Sequence, residues 1–166
     1  MTDTPEPGPG PGAAEGDAPG VIAKPPFIYL GFLALGLGLD WLWPSPLLPE
    51  TLRYALGGAL IGLGIALALA SIRRFKAAGT SFHTHKPATA ILTDGPYRIS
   101  RNPIYIGLTA TYAGIGIAVD APWVWVLLLP TLVVMHYGVI VREERYLERK
   151  FGKEYLDYKA RVRRWI

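Results

Sequence analysis

The side chains of this chain that can do chemistry fall into two short runs. Residues 89–107 hold Thr89, Tyr97, Arg98, Arg101, Asn102 and Tyr105, and residues 136–144 hold His136, Arg142, Glu143 and Glu144. Seven residues on a regular helix bring His136 and Glu143 to within about 20° of each other, two turns apart, while Glu144 is turned by about 100° toward a different neighbour. A carboxylate in a water-poor setting gains more from a cationic ligand than it would in bulk water. An imidazole is the side chain suited to moving a proton near neutral pH. His136 and Glu143 are therefore candidate catalytic residues, with Arg142 beside them as a cation able to orient an acidic group. The chain has no cysteine, so thiolate nucleophiles, thiolate metal ligation and disulfides are excluded together, and no metal is expected. His83 and His85 lie in a polar loop; His85, two residues before Pro87, is the better placed.

These runs are positioned by a membrane fold. Of the 166 residues 51% are apolar and only 18% charged, too little polar surface for a soluble domain of this size. Four apolar stretches, 27–43, 52–72, 103–119 and 122–141, are each about 17 to 21 residues long, the span of a bilayer's hydrocarbon core. They are apolar all round instead of on one face. The expected fold class is all-α: an integral membrane domain of about four transmembrane helices over residues 25–166. Before it, residues 1–24 are rich in Pro and Gly and have no apolar run, so they read as a disordered tail and not as a signal peptide. Of the 17 Lys and Arg residues, all but Arg53 fall on the side shared by the N-terminus, the 73–102 loop and the tail after residue 141. The positive-inside rule makes that side cytoplasmic, both termini included, as in a bacterial-type inner (plasma) membrane. The basic excess thus points to the membrane surface and not to nucleic acid.

Glycines 57, 58, 62 and 64 in the second stretch favour close helix packing, with Gly58 and Gly62 as a small-xxx-small pair. After residue 141, Leu147, Phe151, Tyr155, Tyr158 and Val162 recur at three- and four-residue spacing among basic residues. That pattern predicts a basic amphipathic helix at the lipid headgroups, bent at Gly152. Both chemical runs lie at the cytoplasmic rim, open to water and to lipid. Apart from Arg53 at the very start of the second stretch, only Asp40 and His136 are ionisable within a span, which disfavours a pore or carrier.

Gly95-Pro96-Tyr97-Arg98 followed by Arg101-Asn102-Pro103-Ile104-Tyr105-Ile106-Gly107 resembles the GPYxxxRHPxYxG signature of the isoprenylcysteine carboxyl methyltransferase and phospholipid methyltransferase superfamily. Glu143-Glu144-Arg145-Tyr146-Leu147, then Phe151-Gly152-Lys153-Glu154-Tyr155 and Tyr158, is similar to that family's EExxL…FGxxYxxY ending. The resemblance implies an S-adenosylmethionine-dependent methyltransferase whose two motifs, within residues 83–107 and 136–158, close over the cofactor. It assigns cofactor binding to His85, the backbone of Thr89, Ala90, Ile91 and Leu92, the aromatic rings of Tyr97 and Tyr105, and Arg101, Asn102, Pro103 and Ile104, together with Glu143 and Glu144. Asn102 before Pro103 also reads as a helix cap, and the helix start it makes offers N–H groups and positive potential to the cofactor's carboxylate.

Two departures bear on the acceptor. The signature's RHP is RNP here, and Val139 stands where isoprenylcysteine enzymes carry an arginine four residues before the first glutamate. Arg142 is the neighbouring cation but is turned by about 60° from Val139. The expected acceptor is therefore a lipid-like or small apolar molecule and not a prenylcysteine carboxylate, with membrane lipids as the surrounding partners. Gly114-Ile115-Gly116 sits where phospholipid methyltransferases have a GxG motif, and helix packing explains it equally well. A non-catalytic lipid-binding or scaffold protein retaining the fold is the alternative.

Overall fold

The structure is a computed structural model, and it describes residues 19–79 and 90–166. Among the described residues six α-helices follow one another: α1 (Pro25–Leu42), α2 (Glu50–Ala77), α3 (Pro103–Ala118), α4 (Pro122–Met135), α5 (Val141–Phe151) and α6 (Lys153–Arg161). A 3₁₀ turn, Gly95–Arg98, precedes α3, and a π-helical turn, His136–Ile140, joins α4 to α5. The described residues contain no strand. The protein is all-α and membrane-integral, as its composition requires. Among the described residues three continuous helices are long and apolar enough to cross a bilayer, Pro25–Leu42, Glu50–Ala77 and Pro122–Phe151, and α3 is a shorter apolar one. Large apolar side chains such as Phe27, Leu63, Leu129 and Val133 face outward, which hydrocarbon surroundings accept and water would not.

Proline starts three of these helices: Pro25, Pro103 and Pro122 lie in the first turn, where the missing N–H costs no hydrogen bond. Within the apolar spans, hydroxyls bond back to their own helix: Ser71 to the Leu67 carbonyl (2.7 Å), Thr111 to Gly107 (2.9 Å) and Thr131 to Leu127 (2.6 Å). A polar group with no water within reach must be satisfied in this way.

α2 and α3 run antiparallel along a seam of small residues. A side-chain carbon added at Gly57 would come within 2.6 Å of the Ala118 backbone, and one added at Gly64 within 2.6 Å of the Gly107 carbonyl. Gly107 and Gly114 meet Gly64 and Ile61 from the α3 side in the same way, so the Gly114-Ile115-Gly116 run is used for packing. The expected pair Gly58 and Gly62 faces open space. The contact repeats every seven residues, through Gly57, Gly64 and the buried Ser71, because two nearly antiparallel helices meet once per two turns. A spacing of four would follow only a steeper crossing.

α1 packs on α4, with Gly36 against Val124. At the far end from the two motifs, Asp120 (φ 53°) closes the α3–α4 turn, and its Oδ2 accepts the Leu47 and Leu48 N–H groups at 2.9 and 3.1 Å. At the motif end the π turn adds a residue to the helical register. It therefore corrects the phase expected of a regular helix: one extra residue rotates everything beyond it by about 100°, so His136 and Glu143 do not share a stripe. The Gly138 carbonyl within this turn accepts the Ile22 N–H at 3.2 Å, which lays residues 20–24 across it.

Candidate active site

The 90–102 loop approaches α3 through a turn that only glycine adopts without strain. Gly95 has φ +56° and lies against the Arg74 side chain, whose Nη1 pairs with Asp94 at 2.9 Å. The turn carries Tyr97 inward: it is buried, and its ring stands edge-on to Phe75 at 5.5 Å. The Tyr158 hydroxyl donates to the Tyr97 carbonyl at 2.8 Å. α6 is thus docked on the loop by Tyr158 and the buried Tyr155, so the amphipathic tail packs its aromatic face on the protein. Gly152 (φ +52°) makes the bend that permits this. Burial pushes the Tyr158 hydroxyl up to about 12, against the opposing pull of Arg101, and raises Tyr97 and Tyr155 for the same first reason. All three are neutral at any physiological pH.

The two carboxylates at the start of α5 have different partners, as their 100° offset requires. Glu143 accepts the buried Tyr105 hydroxyl with both oxygens, at 2.8 and 2.9 Å. Tyr29 supports that arrangement by bonding Thr109 Oγ1 at 2.7 Å. Among the described residues no cation lies within ion-pair distance of Glu143. Glu144 is the opposite case. Its side chain is 7% exposed, and it is held by Arg101 Nη2 at 3.2 Å and by the Arg164 fork, Nε at 2.9 Å and Nη2 at 2.7 Å. That bond raises Arg164 above the usual guanidinium range. The Arg101 side chain is itself 8% exposed, and its Nε and Nη1 are buried with no hydrogen-bond partner among the described residues.

Asn102 sits at the first position before α3, but its side chain does not cap the helix. Its Nδ2 donates to the Arg164 carbonyl at 3.0 Å, which Ser100 Oγ also reaches at 3.2 Å. The cap is replaced because the returning C-terminal segment competes for the amide. Pro103 is buried, Ile104 packs on the core, Ile91 and Leu92 are half-buried along the loop, and Ala90 is exposed. His85 and Thr89 lie outside the described residues. Arg142 is exposed and donates to the Gly20 carbonyl at 2.9 Å, so it braces the N-terminal segment and joins neither carboxylate. Val139 is fully buried.

His136 lies apart from this polar cluster in an apolar cavity of about 760 Å³, with Ile106, Thr109, Leu128, Leu132 and Trp165 among its walls. Its Nε2 is 3.5 Å from Arg164 Nη1. One guanidinium therefore stands between the Glu144 network and the cavity. Sequence reasoning missed Arg164, Ser100 and Trp165. For Arg164 and Trp165 the only sequence signal is the density of basic and aromatic residues after Tyr158, which reads equally well as a membrane-facing helix.

The bundle and its rim cluster define a polytopic α-helical membrane protein with a buried polar site beside an apolar cavity. The chain belongs to the phospholipid methyltransferase family, whose sequence profile matches residues 52–154. It is similar to human phosphatidylethanolamine N-methyltransferase, at 39% identity over 93 residues, which cover 55% of this chain and 46% of that protein. It thus spans about half the length of that relative. It also resembles an uncharacterised protein of Haemophilus influenzae, at 48% identity over 42 residues, 25% of this chain and 67% of that one. No solved structure matches.

Proposed function

We propose that the protein transfers a methyl group from S-adenosylmethionine to an amine-bearing or neutral membrane lipid at the cytoplasmic face. The observation that carries this reading is an imbalance. Among the described residues the buried Glu143 carboxyl meets one neutral hydroxyl and no cation, and Arg101, which pairs with the adjacent Glu144, has two buried donors without a partner. Burying such groups uncompensated is costly. The pair is completed by a zwitterion, which is what the amino-acid end of the cofactor presents. Glu143 accepts its ammonium and Arg101 meets its carboxylate, while Tyr97, Ile91 and Leu92 supply apolar surface for the adenosine.

When bound, the cofactor supplies a methyl group on a sulfonium, open to in-line displacement without a metal. The chain contributes alignment, exclusion of water and a proton acceptor. The cavity beside the site takes acyl chains, and His136 takes the proton that an ammonium headgroup must lose before its nitrogen can be methylated. Buried Val139 leaves no cation where a prenylcysteine carboxylate would be held, which supports an amine or neutral acceptor.

The test is equilibrium binding of S-adenosylmethionine to the full chain in detergent, followed by methyl-labelled cofactor with vesicles of phosphatidylethanolamine, phosphatidylserine or phosphatidylcholine. Labelled phosphatidylethanolamine derivatives are expected. Absence of cofactor binding would sink the reading, and label on prenylcysteine in preference to phospholipid would displace the acceptor.

A further inference from the structure

Beyond α6 the chain leaves helical geometry at Val162 (φ −121°, ψ 129°) and continues as an extended strap. The strap is bolted down from several sides. The Arg163 carbonyl accepts the Arg101 N–H at 3.0 Å, the Arg164 carbonyl accepts Ser100 Oγ and Asn102 Nδ2, and the Arg164 side chain grips both oxygens of Glu144. A bidentate guanidinium–carboxylate pair fixes orientation as well as distance. The next residue, Trp165, packs on the hydrophobic core and, with Ile166, lines the apolar cavity that contains His136.

We propose that residues 163–166 form a specificity strap, with Trp165 as the wall that sets how much apolar bulk an acceptor can place beside His136. The proposal rests on reading the cavity as the acceptor site, and its occupant is the acyl portion of a glycerophospholipid. Three observations support it. The cavity's volume of about 760 Å³ lies in the roughly 300–1,000 Å³ range of ligand sites. Its walls include the outward-facing Leu129 and Val133, so it opens where lipid chains are. An indole presents large contact area with few torsions to lose, and its backbone here is held by polar bonds that do not depend on the cavity's contents. Arg164 also reaches His136, so the wall and the proposed proton acceptor are registered by one side chain.

The experiment compares the full-length parent with Trp165→Ala and Trp165→Phe in detergent, using phosphatidylethanolamines of graded acyl length and branching. Trp165→Ala should move the kcat/KM preference toward bulkier chains by about tenfold, the discrimination a hydrophobic pocket makes over one or two methylenes, and Trp165→Phe should keep most of the parental preference. Binding of S-adenosylhomocysteine by calorimetry should stay within about twofold of the parent in both, as expected of a wall that does not touch the cofactor. Activity that falls equally across the series overturns the proposal. A parent that methylates no phospholipid refutes the functional reading instead. The strap is then judged by fluorescence in a chain with Trp41, Trp43, Trp123 and Trp125 replaced by phenylalanine. Saturable quenching of Trp165 by phosphatidylethanolamine brominated on its acyl chains supports a lipid-filled groove, and strictly linear quenching overturns it.

Discussion

The two flanks of α5 treat consecutive carboxylates in opposite ways. On one flank Glu144 is closed in by Arg101, Arg164 and, through them, the start of α3 and the C-terminal strap. Its charge is matched from inside the protein, and its work is to hold three distant segments together. On the other flank Glu143 faces α3 through Tyr105, a neutral donor, in a neighbourhood of tyrosines. No cation among the described residues lies within ion-pair distance of it. Both residues belong to one dipeptide and one helical turn. The difference shows that a carboxylate's role is set by what its flank of the helix is packed against. Saturation with internal partners fits a structural residue, and the deficit at Glu143 is what the proposed function assigns to a ligand.

The comparison can be broken at its stronger side first. Glu144→Gln leaves two guanidiniums facing a neutral amide, and removing one member of a buried pair costs about 3–5 kcal/mol. The lower end applies, because the Arg164 side chain keeps 32% exposure. A fall in thermal stability in detergent without cofactor, measured by near-UV circular dichroism, should reveal it. An unchanged melting profile would remove the structural assignment of Glu144.

Glu143→Gln should behave in reverse. Stability without cofactor should change by no more than about 0.5 kcal/mol, while cofactor affinity should drop by about 1–3 kcal/mol, the worth of a hydrogen bond to a charged group. Isothermal titration calorimetry measures the second quantity directly. Should Glu143→Gln melt early and bind normally, the two carboxylates have been assigned the wrong way round.

The smallest effect belongs to the wall that closes over this flank. Tyr158→Phe removes the bond to the Tyr97 carbonyl and should cost about 1 kcal/mol. The sign of its pH dependence follows from the raised pKa. The proton is held more tightly in the folded protein (about 12) than at the ordinary value of 10.0. The tyrosine's contribution is therefore whole below about pH 10 and is lost as pH rises toward 12. Unfolding of the parent between pH 9 and 12 should show that alkaline loss, and Tyr158→Phe should show less of it. Equal alkaline sensitivity in both would place the titrating group elsewhere.

Much of this was legible in the chain itself, for identifiable reasons. The four apolar stretches, the basic asymmetry and the two motifs are local patterns, and a lipid environment ties local pattern to structure more tightly than water does, because the backbone must pair within each segment. The 100° offset between Glu143 and Glu144 survived because it needs only one residue of regular helix. The predicted stripe from His136 to Glu143 did not survive, since it assumed seven regular residues and the π turn at His136–Ile140 interrupts them. Likewise Gly57 and Gly64 form the α2–α3 seam in place of Gly58 and Gly62. All four residues are small, and which of them face the partner depends on the crossing of two helices.

By itself the sequence determined that this is an all-α membrane protein, where its polar residues gather, and which motifs meet at one rim. Those properties follow from composition and short-range periodicity, which bind chemistry to position without reference to the rest of the chain. Only the tertiary structure decided which carboxylate is satisfied, that Arg101 keeps two buried donors without a partner among the described residues, and that Arg164 returns to Glu144 and Trp165 to the cavity. These are pairings between residues 20 to 64 positions apart. Their partners are chosen by packing and by competition for hydrogen bonds, and neither is written in any local spacing.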